Sequence, residues 1–254
     1  MATTGTASYT ISRNELITQS LRILRVLEET DVANATQIRN ANGTLNMLIK
    51  NMQSNGLQLW AYQQIIVPMV VNKNTYTIGP VGADITATRP LRLFEGSFIR
   101  DLSCQPYYDT PLRVISRREY LQYGSKFTQA VPNSVYYFPG IDDVGGTTSP
   151  STGYGTLYVY TAPSQNTRSL YLNMQRPIYD VNAAADVFDL PQEWFRCLKF
   201  MLAGELAWEY PKVDPGYAKE IRAMGRDLQN ELQSWSVEDS PVYFQPNQMN
   251  YRNR

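Results

Sequence analysis

Apolar positions near the start of the chain recur at helical spacing. Ser12 followed by Glu15 forms a capping box, in which hydroxyl and carboxylate satisfy reciprocal backbone donors. Leu16, Ile17, Leu21, Leu24 and Leu27 recur on one helical face, which predicts a helix over Arg13 to Glu28. A longer stripe, Ile38, Ala41, Leu45, Leu48, Ile49 and Met52, predicts a second helix that stops at Gly56, a residue able to take the left-handed conformation. Gly43 inside that pattern costs about 1 kcal/mol relative to alanine.

After Trp60 the period changes. Tyr62 to Val71, Thr75 to Ile78, Leu91 to Arg100, Leu112 to Ile115, Ser134 to Phe138, Thr156 to Thr161 and Ser169 to Met174 are rich in β-branched and aromatic residues and are separated by Gly, Pro, Asn and Asp. They read as strands. Pro68 cannot donate to a ladder, so the first of them is expected at a sheet edge or beside a bulge. Ser116 with Glu119 is a second capping box and predicts one short helix inside this region. The Gly-, Ser-, Thr- and Pro-rich stretch from Asp142 to Gly155 reads as a long exposed loop.

Helical spacing returns from Pro191, a residue suited to a first helical position. Trp194, Phe195, Leu198, Phe200, Met201, Leu202, Leu206 and Trp208 make the helix to about Tyr210 apolar on most sides. Such a helix is expected to be surrounded, by its own bundle or by a neighbouring subunit. Asp214 as cap and Pro215 open a last helix, with the stripe Tyr217, Ile221, Met224, Leu228, Leu232 and Trp235. From Pro241 to Arg254 the pattern stops; the segment holds no acidic residue but keeps Tyr243, Phe244 and Tyr251. It reads as an extended arm that docks on a partner.

Helical stretches at both ends with strands between them predict an α+β fold: a four-helix bundle formed by N- and C-terminal helices, with a β-rich insertion domain and an extended C-terminal arm. The expected division is 1–60 with 190–240 for the bundle, 61–189 for the insertion and 241–254 for the arm.

Composition narrows the chemistry. The chain of 254 residues contains no histidine, which removes Ser-His-Asp and Cys-His schemes and the commonest metal ligand. Lys plus Arg, 23, equals Asp plus Glu, 23, so the basic excess of a tight nucleic-acid binder is missing. Cys104 and Cys197 read as two isolated thiols, with a disulfide between them as the alternative. Met1 to Thr10 lacks the basic and apolar regions of a signal peptide, and no run of about 18 apolar residues marks a membrane span. Synthesis in a cytoplasm as a soluble chain is the expectation.

Candidate sites are few. Asp142 and Asp143 could be half of a calcium site but read better as solvated loop carboxylates. Glycan hydrolysis needs two carboxylates at a set separation, and Glu193, Glu205 and Glu209 are candidates in name only; their plainer role is bundle surface or interhelix polar contact. Asn34 and Asn42 match the glycosylation sequon by chance. Arg117 and Arg118, with Arg113 and Lys126 nearby, form a basic spot: a solvated helix face, or a surface turned to DNA or a tail protein. No cofactor motif is present, and a non-enzymatic role is expected.

Three stretches carry a likeness to a known family. They are Leu45-Asn46-Met47-Leu48 with Gly56-Leu57-Gln58-Leu59-Trp60; Tyr76-Thr77-Ile78-Gly79-Pro80 with Arg89-Pro90; and Leu190-Pro191-Gln192-Glu193-Trp194 with Leu202-Ala203 and Glu205-Leu206-Ala207. In this order and spacing, from about Ser8 to Trp235, the chain resembles the head-to-tail adaptors (tail accessory or head-completion proteins) of short-tailed bacteriophages. The resemblance implies a virion protein at the head–tail interface, made in the host cytoplasm. It implies assembly on the portal protein as a ring of twelve copies, a β-rich part facing tail nozzle or fibre proteins, and a channel with transient, non-specific contact to double-stranded DNA during genome ejection.

On that reading Pro241, Tyr243, Phe244, Tyr251 and Arg252 belong to a portal-binding arm. Trp194, Phe195, Leu198, Leu202, Leu206, Leu228 and Trp235 belong to the bundle and intersubunit interface, and Arg113, Arg117 and Arg118 face DNA or the tail. Two other classes stay open: a peptidoglycan or glycan hydrolase, and a receptor- or carbohydrate-binding β module using Tyr107, Tyr108, Tyr136 and Tyr137.

Overall fold

The computed structural model describes residues 9–54, 59–140 and 153–235. The Gly56 stop, the Asp142–Asp143 pair and the whole portal-binding arm, Pro241, Tyr243, Phe244, Tyr251 and Arg252, lie outside the described residues. Two helices come first, α1 (Arg13–Ile23) and α2 (Ala35–Ser54). Then follow β1 (Tyr62–Pro68), β2 (Thr75–Gly79), β3 (Ile85–Thr86), β4 (Arg92–Leu93), β5 (Phe98–Asp101), β6 (Tyr108–Pro111) and β7 (Arg113–Val114). A short helix, α3 (Arg117–Gln122), precedes β8 (Gln129–Ala130), β9 (Ser134–Phe138), β10 (Gly155–Tyr160), β11 (Ala162–Pro163) and β12 (Arg168–Gln175). The described chain closes on α4 (Trp194–Leu206) and α5 (Pro215–Trp235).

Helix ends follow their local chemistry. The Ser12–Glu15 and Ser116–Glu119 capping boxes both form. Asn34 caps α2 reciprocally with Gln37, and the Asp214 carboxylate accepts from the Tyr217 amide at 2.8 Å. Helix α1 ends at Ile23, earlier than the spacing predicts, because Arg25 turns to φ 57°. The Tyr217 hydroxyl donates to the freed Ile23 carbonyl at 2.9 Å, and the Arg25 guanidinium lies over the Tyr217 ring.

Two five-stranded sheets pack face to face. One runs β1-β12-β5-β6 with β4 also on β12; the other runs β3-β2-β10-β9-β7. Alternation sends Ile65, Val67, Leu170, Leu172 and Met174 inward from the first, and Tyr76, Ile78, Val135, Leu157 and Val159 inward from the second, into one core. Pro68 sits where its missing N–H costs least, on an edge strand. The predicted strand Leu91 to Arg100 is broken, since Gly96 at φ 81° turns the chain between β4 and β5.

The helices share a second core. Helix α4 is its hub, packed against α1, α2 and α5. Ile178, Val181 and Phe188, on the return from β12, fill the same core. Gly204 and Gly225 bring α4 and α5 close: a Cβ on Gly225 would lie 3.2 Å from the Met201 amide nitrogen. Arg176 pairs with Asp189, and its amide donates to the Ala61 carbonyl at 2.9 Å, tying the sandwich to the helices.

This architecture corrects the expected fold class. The chain is not a four-helix bundle carrying a β-rich insertion; it is a mixed α/β protein with, among the described residues, five helices and twelve strands in three sheets. The bundle expectation treated each amphipathic stripe as one side of a common helix-only core. Helix α5 buries only Ala218, Ile221 and Gly225, while non-helical residues complete the core around α4. Helical periodicity reports that a face is covered, and says nothing of what covers it.

Candidate interaction surface

The outer face of the second sheet carries the densest aromatic chemistry. In the β9–β10 register Tyr136 opposes Tyr158 and Phe138 opposes Thr156, so these side chains point away from the core that Val135, Tyr137, Leu157 and Val159 enter. Helix α3 lies over them and buries Tyr120. Tyr120 stands 5.9 Å from Tyr136 and 5.4 Å from Tyr158, and Tyr136 stacks on Tyr158 at 5.6 Å. Beside them Tyr123 stacks on Tyr160 at 4.1 Å. Burial raises the Tyr120 and Tyr136 hydroxyls above the usual phenol range, so both stay protonated donors at neutral pH.

Between α3 and the sheet lies a cavity of about 290 Å³, lined by Arg117, Tyr120, Leu121, Tyr136, Phe138 and Tyr158. Arg117 is over the Phe138 ring at 5.9 Å, and Lys126 is over Tyr120 at 5.4 Å. Leu121, on its wall, is 61% exposed. Glu119 is the nearby carboxylate; the Ser116 backbone and hydroxyl, with a lesser contribution from Arg113, hold its pKa down.

Of the three arginines singled out in the sequence, all exposed, Arg117 lines the cavity, Arg118 follows it on α3, and Arg113 on β7 acts on the nearby Glu119. The four tyrosines are divided: Tyr136 joins the cluster, Tyr137 points into the core and donates to the Pro90 carbonyl at 2.7 Å, and Tyr107 and Tyr108 are exposed on the other sheet. Sequence reading missed Tyr120, Tyr158 and Phe138. Their signal is the alternation in Ser134–Phe138 and Gly155–Tyr160 once the two are paired.

On the outer face of the first sheet, Arg100 is held by Asp109 in a two-pronged pair at 2.8 and 2.7 Å. It also lies over the rings of Phe98, Tyr107 and Tyr171, and Phe98 stacks on Tyr171 at 4.9 Å. Its Nε and one Nη are thus held within the chain.

Of the expected interface residues, Trp194, Phe195, Leu198, Leu202 and Leu206 are buried in the chain's own helical core. Leu228 is half-buried and Trp235 is 76% exposed. Trp208, over which Arg222 lies at 3.9 Å, is also exposed. Glu193, Glu205 and Glu209 are solvent-exposed. Glu193 and Glu205 flank opposite ends of α4, roughly 18 Å apart along the axis, beyond the separation of a glycosidase pair. The Glu209 carboxylate accepts from Thr44 at 3.1 Å. Among the described residues no cluster of His, Cys, Asp and Glu is arranged to hold a metal ion. Cys104 is exposed and Cys197 buried, both free; burial pushes the Cys197 thiol up to about 11. No described helix is long and apolar enough to cross a membrane.

Set against known proteins, the chain matches no family model and no curated sequence.

Proposed function

We propose that the protein is a structural head-to-tail adaptor of a short-tailed phage. It would bind the portal ring, assemble with copies of itself in a ring of twelve, extend the DNA channel and offer an attachment surface to tail nozzle or fibre proteins. The observation that carries this reading is the meeting of separate stretches of the resemblance: Trp60, which ends the first, packs on Trp194 of the last at 4.9 Å. Arg89-Pro90 of the middle stretch is likewise fixed, by Tyr137 on the Pro90 carbonyl and by Arg89 on the Gly140 carbonyl at 3.0 Å. The contact between the first and last stretches at the joint of helices and sandwich fits a common structural requirement better than chance spacing does.

Chemistry agrees with a conduit part. A chain of balanced charge would not grip passing DNA. The exposed indoles of Trp208 and Trp235 are the kind of anchors that dominate protein interfaces, about 2 kcal/mol or more each. Mixing purified chain with the cognate portal ring and imaging the product tests the reading. The expected outcome is a ring of the chain on the portal; a portal left bare at saturating concentrations overturns it. The second reading, sugar recognition, is favoured only by the exposure of Tyr107 and Tyr108.

A further inference from the structure

The tyrosine face under α3 combines two properties. The first is unspent positive charge. Within the sandwich, Arg89, Arg92, Arg100 and Arg168 each donate to a carbonyl, amide or carboxylate oxygen of the chain. The guanidinium groups of Arg113, Arg117 and Arg118 are exposed and, among the described residues, donate no hydrogen bond; Arg117 lines the cavity, Arg118 follows it on α3, and Arg113 stands on β7, the neighbour of the cavity strand β9. An arginine fork left without a planar acceptor is the group best shaped to take a carboxylate in two parallel hydrogen bonds.

The second property is the shape of the apolar part. The rings of Tyr120, Tyr136 and Tyr158 contact one another, with centroids 5.4 to 5.9 Å apart, rather than standing in a spaced row. Together with Leu121, Phe138 and Arg117 they wall one cavity of about 290 Å³. A row of free ring faces would suit stacked bases or flat sugar rings. A single small cavity with a basic rim suits one apolar side chain inserted from an extended, acidic strand of protein.

We infer that the α3 face is a docking site for an acidic peptide segment of a partner protein, with one aromatic or branched aliphatic side chain seated among Tyr120, Tyr136 and Tyr158 and flanking carboxylates on Arg117 and Arg118. This assignment rests on the surface alone and stands whether or not the partner of the helices is a portal.

The test is a selection from a random dodecapeptide library on the immobilised full chain, followed by titration of the enriched peptides. The expected result is enrichment of sequences with Asp or Glu around one large apolar residue, whose affinity falls about tenfold or more in an Arg117→Gln/Arg118→Gln variant and falls with added salt. Leu121→Ser, an exposed change that leaves the charge alone, weakens the same peptides without altering their salt dependence. Circular dichroism identical to wild type shows that both variants are folded. Peptides without an acidic pattern, or bound equally by the double variant, overturn the assignment. So does binding of a twelve-nucleotide oligothymidylate or of chitohexaose that is tighter than the peptides and is lost in the double variant. None of these outcomes touches the portal experiment, so the two readings fail separately.

Discussion

The helical layer and the sandwich solve the same problem with different materials. Around α4 the helices bury Leu198, Leu202 and Leu206 and rely on apolar packing, with close helix approach at Gly204 and Gly225. The sandwich also has an apolar core, but it ties its surface with Lys73–Asp84, Arg100–Asp109 and Arg168–Asp101 pairs and carries Tyr136 and Tyr158 on its outer face. The lesson is that the helices hold the chain's stability in a hub, whereas the sandwich spends part of its surface on specific polar and aromatic geometry. The spectroscopic probes divide the same way, because Trp60, Trp194, Trp208 and Trp235 all belong to the helices or their joint, while the stacked tyrosines belong to the sandwich.

The largest expected effect is at the hub. Leu202 is fully buried, and Leu202→Ala should cost about 2–5 kcal/mol through lost transfer energy and the residual cavity. Because the helical and sandwich cores are separate clusters, the tryptophan-fluorescence transition in urea should move further than the tyrosine circular-dichroism transition. Coincident shifts would break the comparison and make the two regions one cooperative unit.

Next in size are the two glycines at close approaches. A Cβ on Gly155 would fall 1.9 Å from the Tyr137 hydroxyl, displacing it from the Pro90 carbonyl. Gly155→Ala should therefore cost about 1–3 kcal/mol in the sandwich. Gly225→Ala meets the Met201 amide nitrogen at a milder 3.2 Å, and alanine gains about 1 kcal/mol of helix propensity, so its net cost should be smaller. Thermal denaturation of the two variants checks the order; a larger loss for Gly225→Ala would show the helical contact to be the tighter one.

The matched capping boxes give a third test. Ser12→Ala and Ser116→Ala each remove a side-chain acceptor from an amide at the third helical position, worth about 1 kcal/mol. The consequences should differ. Loss at α1 lowers global stability, because Leu16 and Leu21 lie in the core. Loss at the six-residue α3 should speed amide exchange over Arg117–Gln122 and loosen Tyr120 with little change in the unfolding midpoint. Equal midpoint shifts would mean that α3 is as integral to the fold as α1.

These boxes were legible in the sequence because their chemistry is local, as were the Asp214 cap and the edge position of Pro68. The fold class was not. The stripe on α5 says where an apolar face lies, but whether Met224, Leu228 and Trp235 meet another helix is decided by distant chain, and here they are only partly covered or open. Likewise the apolar wrap of α4 leaves open whether its own bundle or a neighbour covers it, and within the chain non-helical Ile178, Val181 and Phe188 supply part of the cover. The candidate site was half legible. Its arginines stand together in sequence, whereas Tyr120, Tyr136 and Tyr158 meet only through strand register and the placement of α3. Tyr137, one residue from Tyr136, faces the opposite side of β9, as strand alternation requires.

Acid should produce the smallest effect, and its sign is fixed. Asp101 accepts from Ser103, the larger influence, and from Arg168, and its pKa lies at about 2 against an ordinary 3.8. A carboxylate with a depressed folded pKa contributes stability that is present above the ordinary value and is lost as pH falls through the folded one. Asp84, held by Lys73 and Thr77, and Asp109, held by Arg100, shift the same way. The sandwich should therefore weaken as pH falls from about 4 to about 2, and Asp101→Asn should make that decline shallower, since the amide has no proton to take up. The helical layer has its own depressed carboxylates in Glu15 and Asp186, so both regions weaken in acid. Only the tyrosine signal should change slope in the Asp101 variant. Urea titrations at pH 5, 3.5 and 2.5, read at both chromophores, separate the two. A tryptophan slope that flattens as much as the tyrosine slope would mean that Arg168 and Asp101 brace the helices through β12, and the division between hub and sandwich would have to be redrawn along that strand.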